Sequence, residues 1–269
     1  MKYKMVAIDV DDTLINDDRI VTEATKEALF KAVEQDVVIT LATGRMFASA
    51  KQIATQINLN VPIITYQGSL VKNLLDEEII YERSVPQSVS EYIIKYAEKN
   101  KHHLQVYHGD ELYVKEDNDL VKEYAMVSKV PYKVETDFPS LASKPLTKLL
   151  IINHPEIIDQ IAEELQKEIG DQVHVTKSKP YFLEIVHKEA TKGHALQFLA
   201  KHYGCDISEV IAIGDSWNDH EMLEVAGLGV AMGNAIPTLK EIANFVTLSN
   251  NEDGVKHVID KFILNEAKV

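Results

Sequence analysis

Apolar runs of strand length alternate with amphipathic runs of helix length at both ends of this chain, and no other feature limits its fold as tightly. Residues 5–8 read as a buried first strand. Thr22 is placed to cap a helix whose apolar positions are Ala28, Leu29, Ala32 and Val33. Residues 37–42 read as a second buried strand, followed by a helix through Ala50, Ile53 and Ile57, and residues 61–66 as a third strand. This β-α-β-α-β order opens a doubly wound parallel sheet. The rhythm resumes near Thr191, with a helix through Ala195, Leu196, Leu199 and Tyr203, a strand at 210–213, a helix at 219–225 and a strand at 228–232.

The middle of the chain reads differently. Residues 70–75 and 79–83 flank an acidic turn and predict a hairpin. Ser88-x-x-Glu91 predicts a capping box, opening a helix with Val89, Tyr92, Ile93, Tyr96 and Ala97 on one face. Short strands follow at 104–107, 111–115 and 132–135, then a stretch rich in Pro, Ser and Thr over 136–147. A strand at 148–153, a helix through Ile157, Ile158, Ile161, Ala162 and Leu165, and strands at 172–176 and 181–186 complete the block. It has its own hydrophobic set. The expected architecture is α/β: a discontinuous Rossmann-like core of residues 1–83 and 188–269, with an α/β cap domain, 84–187, inserted between them.

The 269 residues suffice for a large buried core without staples, and a single cysteine, Cys205, excludes an internal disulfide framework. With 28 basic and 42 acidic side chains the net charge is −14, which argues against a non-specific nucleic-acid binder or a partner of anionic membranes. No apolar run approaches the ~20 residues of a membrane span, and the opening apolar run is too short for a signal peptide. A soluble cytoplasmic protein is expected.

Four short motifs carry chemistry. Asp9-Val10-Asp11-Asp12-Thr13 falls where a parallel strand ends, the edge at which doubly wound folds bind ligands. So many carboxylates are costly there unless a hard cation such as Mg²⁺ neutralises them. If the strand continued, Asp9 and Asp11 would face the same way, one able to attack while its neighbour handles a proton. Gly214-Asp215-Ser216-Trp217-Asn218-Asp219 follows the apolar strand at 210–213 and can complete a carboxylate cluster. Ala42-Thr43-Gly44-Arg45 sets a hydroxyl and backbone N–H groups at a helix start, an anion site. Ala190-Thr191-Lys192-Gly193 puts a lysine in a first helical turn, where a cation is unfavourable without an anionic partner. Singly, each has a plainer explanation as an acidic turn, a cap or a solvated lysine. Together they supply a nucleophile, a proton carrier, metal ligands, a hydroxyl and a cation, the needs of phosphoryl transfer.

These motifs, spread over both expected core segments, resemble those of the haloacid dehalogenase (HAD) superfamily, and most closely its Cof-type phosphatases. Val230-Ala231-Met232-Gly233-Asn234-Ala235 and Asn251-Glu252-Asp253-Gly254-Val255 are similar to that subfamily as well. The resemblance implies a Mg²⁺-dependent phosphatase acting through an aspartyl-phosphate. Asp9 would be the nucleophile and a metal ligand. Asp11 would be the general acid and base, its backbone carbonyl binding the metal, and Asp215 the third ligand, supported by Asp219. Val10 and Gly44 through their amides, Thr43, Lys192 and Asn218 would hold the phosphate. Two residues depart from the family pattern: Asp12 stands where many members have Gly, and Gln67 where many have Asn.

The implied substrate is a small phosphorylated metabolite, a sugar phosphate first. A phosphatase for a phosphorylated flavin or pyridoxal cofactor, a sugar phosphomutase and a non-catalytic phosphometabolite-binding protein stay open as alternatives. The ten histidines show no zinc spacing. Trp217 is expected to pack behind the site, Glu184 to reach the cleft or face solvent, and Cys205 to be inert.

Overall fold

The computed structural model describes residues 2–265, so residue 1 and residues 266–269 of the expected core lie outside the described residues. The elements begin with β1 (Met5–Asp9), α1 (Glu23–Glu34), β2 (Val38–Ala42), α2 (Phe47–Ala54), β3 (Pro62–Thr65), β4 (Leu70–Asn73) and β5 (Ile79–Glu82). Next come α3 (Gln87–Asn100), β6 (His103–His108), β7 (Glu111–Val114), α4 (Asp119–Ser128), β8 (Tyr132–Val134), β9 (Lys148–Ile152), α5 (Pro155–Ile169), β10 (Val173–Lys179) and β11 (Phe182–His187). The chain ends with α6 (Lys192–His202), β12 (Val210–Gly214), α7 (His220–Val225), β13 (Leu228–Ala231), α8 (Pro237–Ile242), β14 (Phe245–Val246) and α9 (Gly254–Ile259). Two compact units result: Met1–Arg45, Ala50–Tyr81 and Thr191–Val269 form the first, Met46–Ser49 and Glu82–Ala190 the second.

The first unit carries an eight-stranded sheet in the order β14-β13-β12-β1-β2-β3-β4-β5. The six strands from β14 to β3 are parallel, and β4 returns antiparallel to β3. Every residue of β1 and β12 is buried, as central parallel strands require. β1 is the switch point of the winding: the chain proceeds to β2 and β3 on one side, and β12 and β13 fill the other. Thr22 caps α1 by accepting from the Thr25 amide, and Ala28, Leu29 and Ala32 are buried as expected; Val33 is exposed.

The second unit has a six-stranded sheet in the order β10-β11-β9-β6-β7-β8, antiparallel except for the β7–β8 pair. One face buries Leu104, Val106, Leu149, Ile151, Leu183 and Ile185 in one apolar cluster with Ile93 of α3 and Ile158 and Leu165 of α5. The fold is a doubly wound α/β core with an inserted α/β domain.

Local expectations fail in three places. α3 starts at Gln87 with Pro86 at its cap and no side-chain cap bond, so the Ser88–Glu91 capping box does not form. Proline's fixed φ suits a helix start and moves the boundary two residues early. β1 stops at Asp9, and Asp12 has φ 58°, so strand alternation does not relate Asp11 to Asp9. Finally, α4 and the short helical segment Phe138–Ser143 occupy stretches with no expected element.

Candidate active site

The C-terminal ends of β1, β2 and β12 lie side by side, with Asp9 registered against Ala42 and Ile8 against Ile213. The next residues after β2 and β12 are Thr43 and Asp215, so the topology delivers three of the sequence motifs to one sheet edge. The fourth arrives on α6, where Thr191 caps the helix by accepting from the His194 amide and Lys192 is its first residue.

Asp9 is 5% exposed, and its Oδ1 lies 2.5 Å from Lys192 Nζ. The same ammonium donates to Asp219 Oδ1 at 2.7 Å. Asp219 Oδ2 accepts from the amides of Asp215 and Ser216, each at 3.0 Å. Asp219 thus binds the lysine with one oxygen and fixes the turn bearing Asp215 with the other. Thr13 donates to Asp215 Oδ1 at 2.9 Å. One carboxylate oxygen from each of Asp9, Asp215 and Asp219 lies within 4.8 Å of the others.

These charges shift one another. Burial raises the Asp9 pKa well above the usual carboxylate range, the Asp219 charge adds to this, and Lys192 opposes both. Asp215 is pushed up to about 6, first by burial and then by Asp219, against the Thr13 hydrogen bond. Burial works against the Lys192 charge, but the carboxylates of Asp219 and Asp9 outweigh it and raise its pKa.

The donor set fits a hard divalent cation. It is all oxygen, and Thr13 and the 215–216 turn orient it. Because Asp219 is committed to Lys192 and two amides, Asp9 and Asp215 are the side chains suited to hold the ion. Two carboxylates, with water and substrate phosphate completing the shell, match magnesium's preferences.

Asp11 lies outside this cluster. Its carboxylate receives Arg45 Nε at 2.7 Å and Nη2 at 2.6 Å, a bidentate pair that fixes its plane. Thr43 is buried, and its hydroxyl accepts from the Arg45 amide at 3.1 Å. Asn218 is exposed and donates to Gln67 Oε1 at 3.2 Å. Val10 and Gly44 follow β1 and Thr43 directly. Asp12 is exposed in the left-handed region, a conformation that glycine adopts readily and aspartate tolerates.

Two expectations are overturned. Trp217 is 73% exposed and does not pack behind the site. Glu184 neither reaches a cleft nor faces solvent; it is buried in the second unit's sheet, paired with Lys148 at 3.1 Å. The sequence reading gave no role to Arg45 or Thr13, although both sit inside the quoted motifs. Arg45 was signalled by being the cation nearest the anion loop.

The sequence pattern of the haloacid dehalogenase-like hydrolases matches residues 6–259. The chain belongs to this family, and it is a phosphatase. YxeH of Bacillus subtilis (strain 168), which carries a phosphatase name, is 35% identical over 269 residues, covering 97% of this chain and 99% of its own. The 5-amino-6-(5-phospho-D-ribitylamino)uracil phosphatase YwtE of the same organism is 30% identical over 288 residues, covering 97% and 98%. The solved HAD subclass IIB sugar phosphatase BT4131 is similar with a TM-score of 0.81 and 26% identity, over 96% of this chain and 98% of that one.

Proposed function

We propose that this chain is a Mg²⁺-dependent phosphatase of small phosphorylated metabolites, sugar phosphates first, working through an aspartyl-phosphate on Asp9. The observation that carries the reading is the buried Asp9 carboxylate held against Lys192 and beside Asp215 at the end of β1. Sugar phosphates and the phosphoribityl compound in YwtE's name share a phosphate ester on a polyhydroxylated carbon chain. That is the substrate chemistry we assign. The single cysteine suits a reducing compartment, the cytoplasm. No helix among the described residues is long and apolar enough to cross a membrane.

Asp9 attacks phosphorus, forming an O–P bond as the ester P–O bond breaks. Asp11 gives the leaving oxygen its proton, then removes one from the water that hydrolyses the aspartyl-phosphate. Arg45 holds the Asp11 carboxylate between turnovers, and Asp11 leaves this pair to make either transfer. Thr43, the amides of Val10 and Gly44, Lys192 and Asn218 hold the phosphate oxygens. Asp219 keeps the Lys192 ammonium and the Asp215 turn in place. Asp9 and Asp215, with the Asp11 carbonyl, would hold Mg²⁺, which would supply charge neutralisation at the transferred group.

The test is phosphate release from a panel of sugar and polyol phosphates and phosphorylated cofactors, with Mg²⁺ and with EDTA. Release should vanish in EDTA and fall by about 10³-fold or more in Asp9→Asn. Activity that survives Asp9→Asn would falsify the assigned nucleophile. Isomer interconversion without phosphate release would overturn the assigned hydrolysis of the aspartyl-phosphate.

A further inference from the structure

Gln67 lies in the turn after β3 and is 5% exposed. Both Tyr66 and Gln67 take left-handed backbone conformations, φ 51° and 61°, which side chains beyond glycine adopt at an energetic cost. Gly68 follows at φ 116°, and a Cβ there would fall 2.2 Å from the Thr191 carbonyl oxygen, so the turn presses against the cap of α6. The turn is also stitched to the anion loop. Tyr66 N donates to Arg45 O at 2.9 Å, Gln67 N to Thr43 O at 3.3 Å, and Thr43 N to Ile64 O at 2.8 Å. Backbone kept in a sparse conformation by so many bonds marks a place where side-chain direction matters.

The Gln67 side chain runs across this loop. A Cβ on Gly44 would fall 2.4 Å from Gln67 Nε2 and 2.9 Å from its Cδ, so the amide fills the space that glycine leaves. Beyond Gly44, Gln67 Oε1 accepts from Asn218 Nδ2 at 3.2 Å. One buried amide therefore spans two residues assigned to phosphate binding, on loops that follow β2 and β12. Asn218 is exposed, so its hydrogen bond to the buried Gln67 is what ties its side chain to the loop.

We infer that Gln67 is a positioning residue for the phosphate site: by accepting from Asn218 across Gly44, it aims the Asn218 amide as a donor toward an anionic phosphate. An amide can present oxygen or nitrogen. With Gln67 Oε1 beside it, the nitrogen end of Asn218 is held on the side of the anion loop. This inference rests on the proposed phosphatase reading and deepens it by naming the residue that orients one of its phosphate donors.

The experiment is calorimetric titration of inorganic phosphate, with Mg²⁺ present, into wild type, Gln67→Met, Asn218→Ala, the double variant and Gln67→Glu. Gln67→Met preserves volume and removes the hydrogen bond. It should weaken phosphate about tenfold, the equivalent of one hydrogen bond, without lowering the melting temperature by more than a few degrees. Added to Asn218→Ala it should cost nothing more, because Gln67 acts through Asn218. A purely structural role would move the melting temperature and leave the two substitutions additive. Gln67→Glu keeps the length and the acceptor oxygen but sets a carboxylate against Gly44. It should weaken phosphate more than tenfold, most at low salt, and it keeps the test alive if Gln67→Met fails to fold. Phosphate binding like wild type in both Gln67 variants overturns the inference alone. Wild type that neither binds phosphate nor releases it from the substrate panel overturns the proposed mechanism beneath it.

Discussion

Lys148 and Glu184 sit on adjacent strands of the second unit's sheet, their side chains 2% and 4% exposed. Ser178 donates to Glu184 Oε1 at 3.0 Å, and the Lys148 ammonium lies 4.7 Å from the Tyr107 ring centre. Burial works against the lysine's charge, but the Glu184 carboxylate offsets it and leaves its pKa raised. Removing one member therefore takes from the other its nearest buried counter-group. Lys148→Met alone should destabilise the protein by about 3–5 kcal/mol, whereas Lys148→Met with Glu184→Leu should come within about 1 kcal/mol of wild type or exceed it. Urea unfolding of the three proteins checks this, and a double variant no more stable than Lys148→Met would sink it. At the other extreme, Asp12 bonds through its backbone and its side chain is exposed, so Asp12→Gly should be neutral or stabilising by less than about 1 kcal/mol. Residues such as Asp9, Thr43, Lys192 and Asp215 were legible as a group because each follows an apolar strand or a cap, and local pattern fixes where strands end. Glu184 was not legible: its burial depends on Lys148, 36 residues away, and nothing local signals such a partner.

The turn after β1 is held by a short segment from the far end of the chain. Asn234 Nδ2 donates to Asp12 O at 2.7 Å, and Asn250 N donates to Asn234 Oδ1 at 3.0 Å. The buried Asn250 Nδ2 donates to Ile15 O and to Asp17 Oδ1, each at 3.2 Å, while Asn251 and Asp17 exchange two further bonds. The loop bearing Asp11 is clamped at three points. Asn250→Ala would leave the buried Ile15 carbonyl unpaired, costing about 1–3 kcal/mol of stability. Because the loose loop misplaces Asp11 more than the phosphate ligands, kcat should fall further than KM rises. Steady-state kinetics decide this, and a change confined to KM would refute it. Element boundaries followed from the sequence where apolar pattern and burial agree, as in α1 and β12. They did not where the two part. In α4, Val121 is buried while Leu120, Met126 and Val127 are exposed, so its apolar residues form no single inward stripe. For α3, the proline before the helix outranked the Ser88 signal.

Acid should act on the two units in opposite senses. In the second, His103 faces the side-chain nitrogens of Asn118 at 3.1 Å and Gln105 at 3.3 Å, and burial lowers its pKa to about 4. An unfolded histidine titrates near 6.5. Between those values the unfolded chain holds more protons, so the stability that neutral His103 preserves is full above about pH 6.5 and is lost as pH falls toward 4. With the ring partly exposed, the loss is on the order of 2 kcal/mol. In the first unit, Asp215 is raised to about 6 and Asp9 is raised in the same direction. There the folded state holds more protons between about pH 4 and 6, so without metal its stability rises as pH falls through that window. The net charge of −14 shrinks on acidification and favours both units, so a variant must isolate the histidine. Amide hydrogen exchange in EDTA, corrected for intrinsic rates, reads each unit separately. From pH 7 to 5, opening free energies at Leu149 and Ile151 should fall, and those at Ile8 and Ile211 should rise. In His103→Gln the fall should disappear while the rise persists. Equal shifts at all four amides, unchanged by His103→Gln, would show that overall charge rather than these buried groups governs the response to acid.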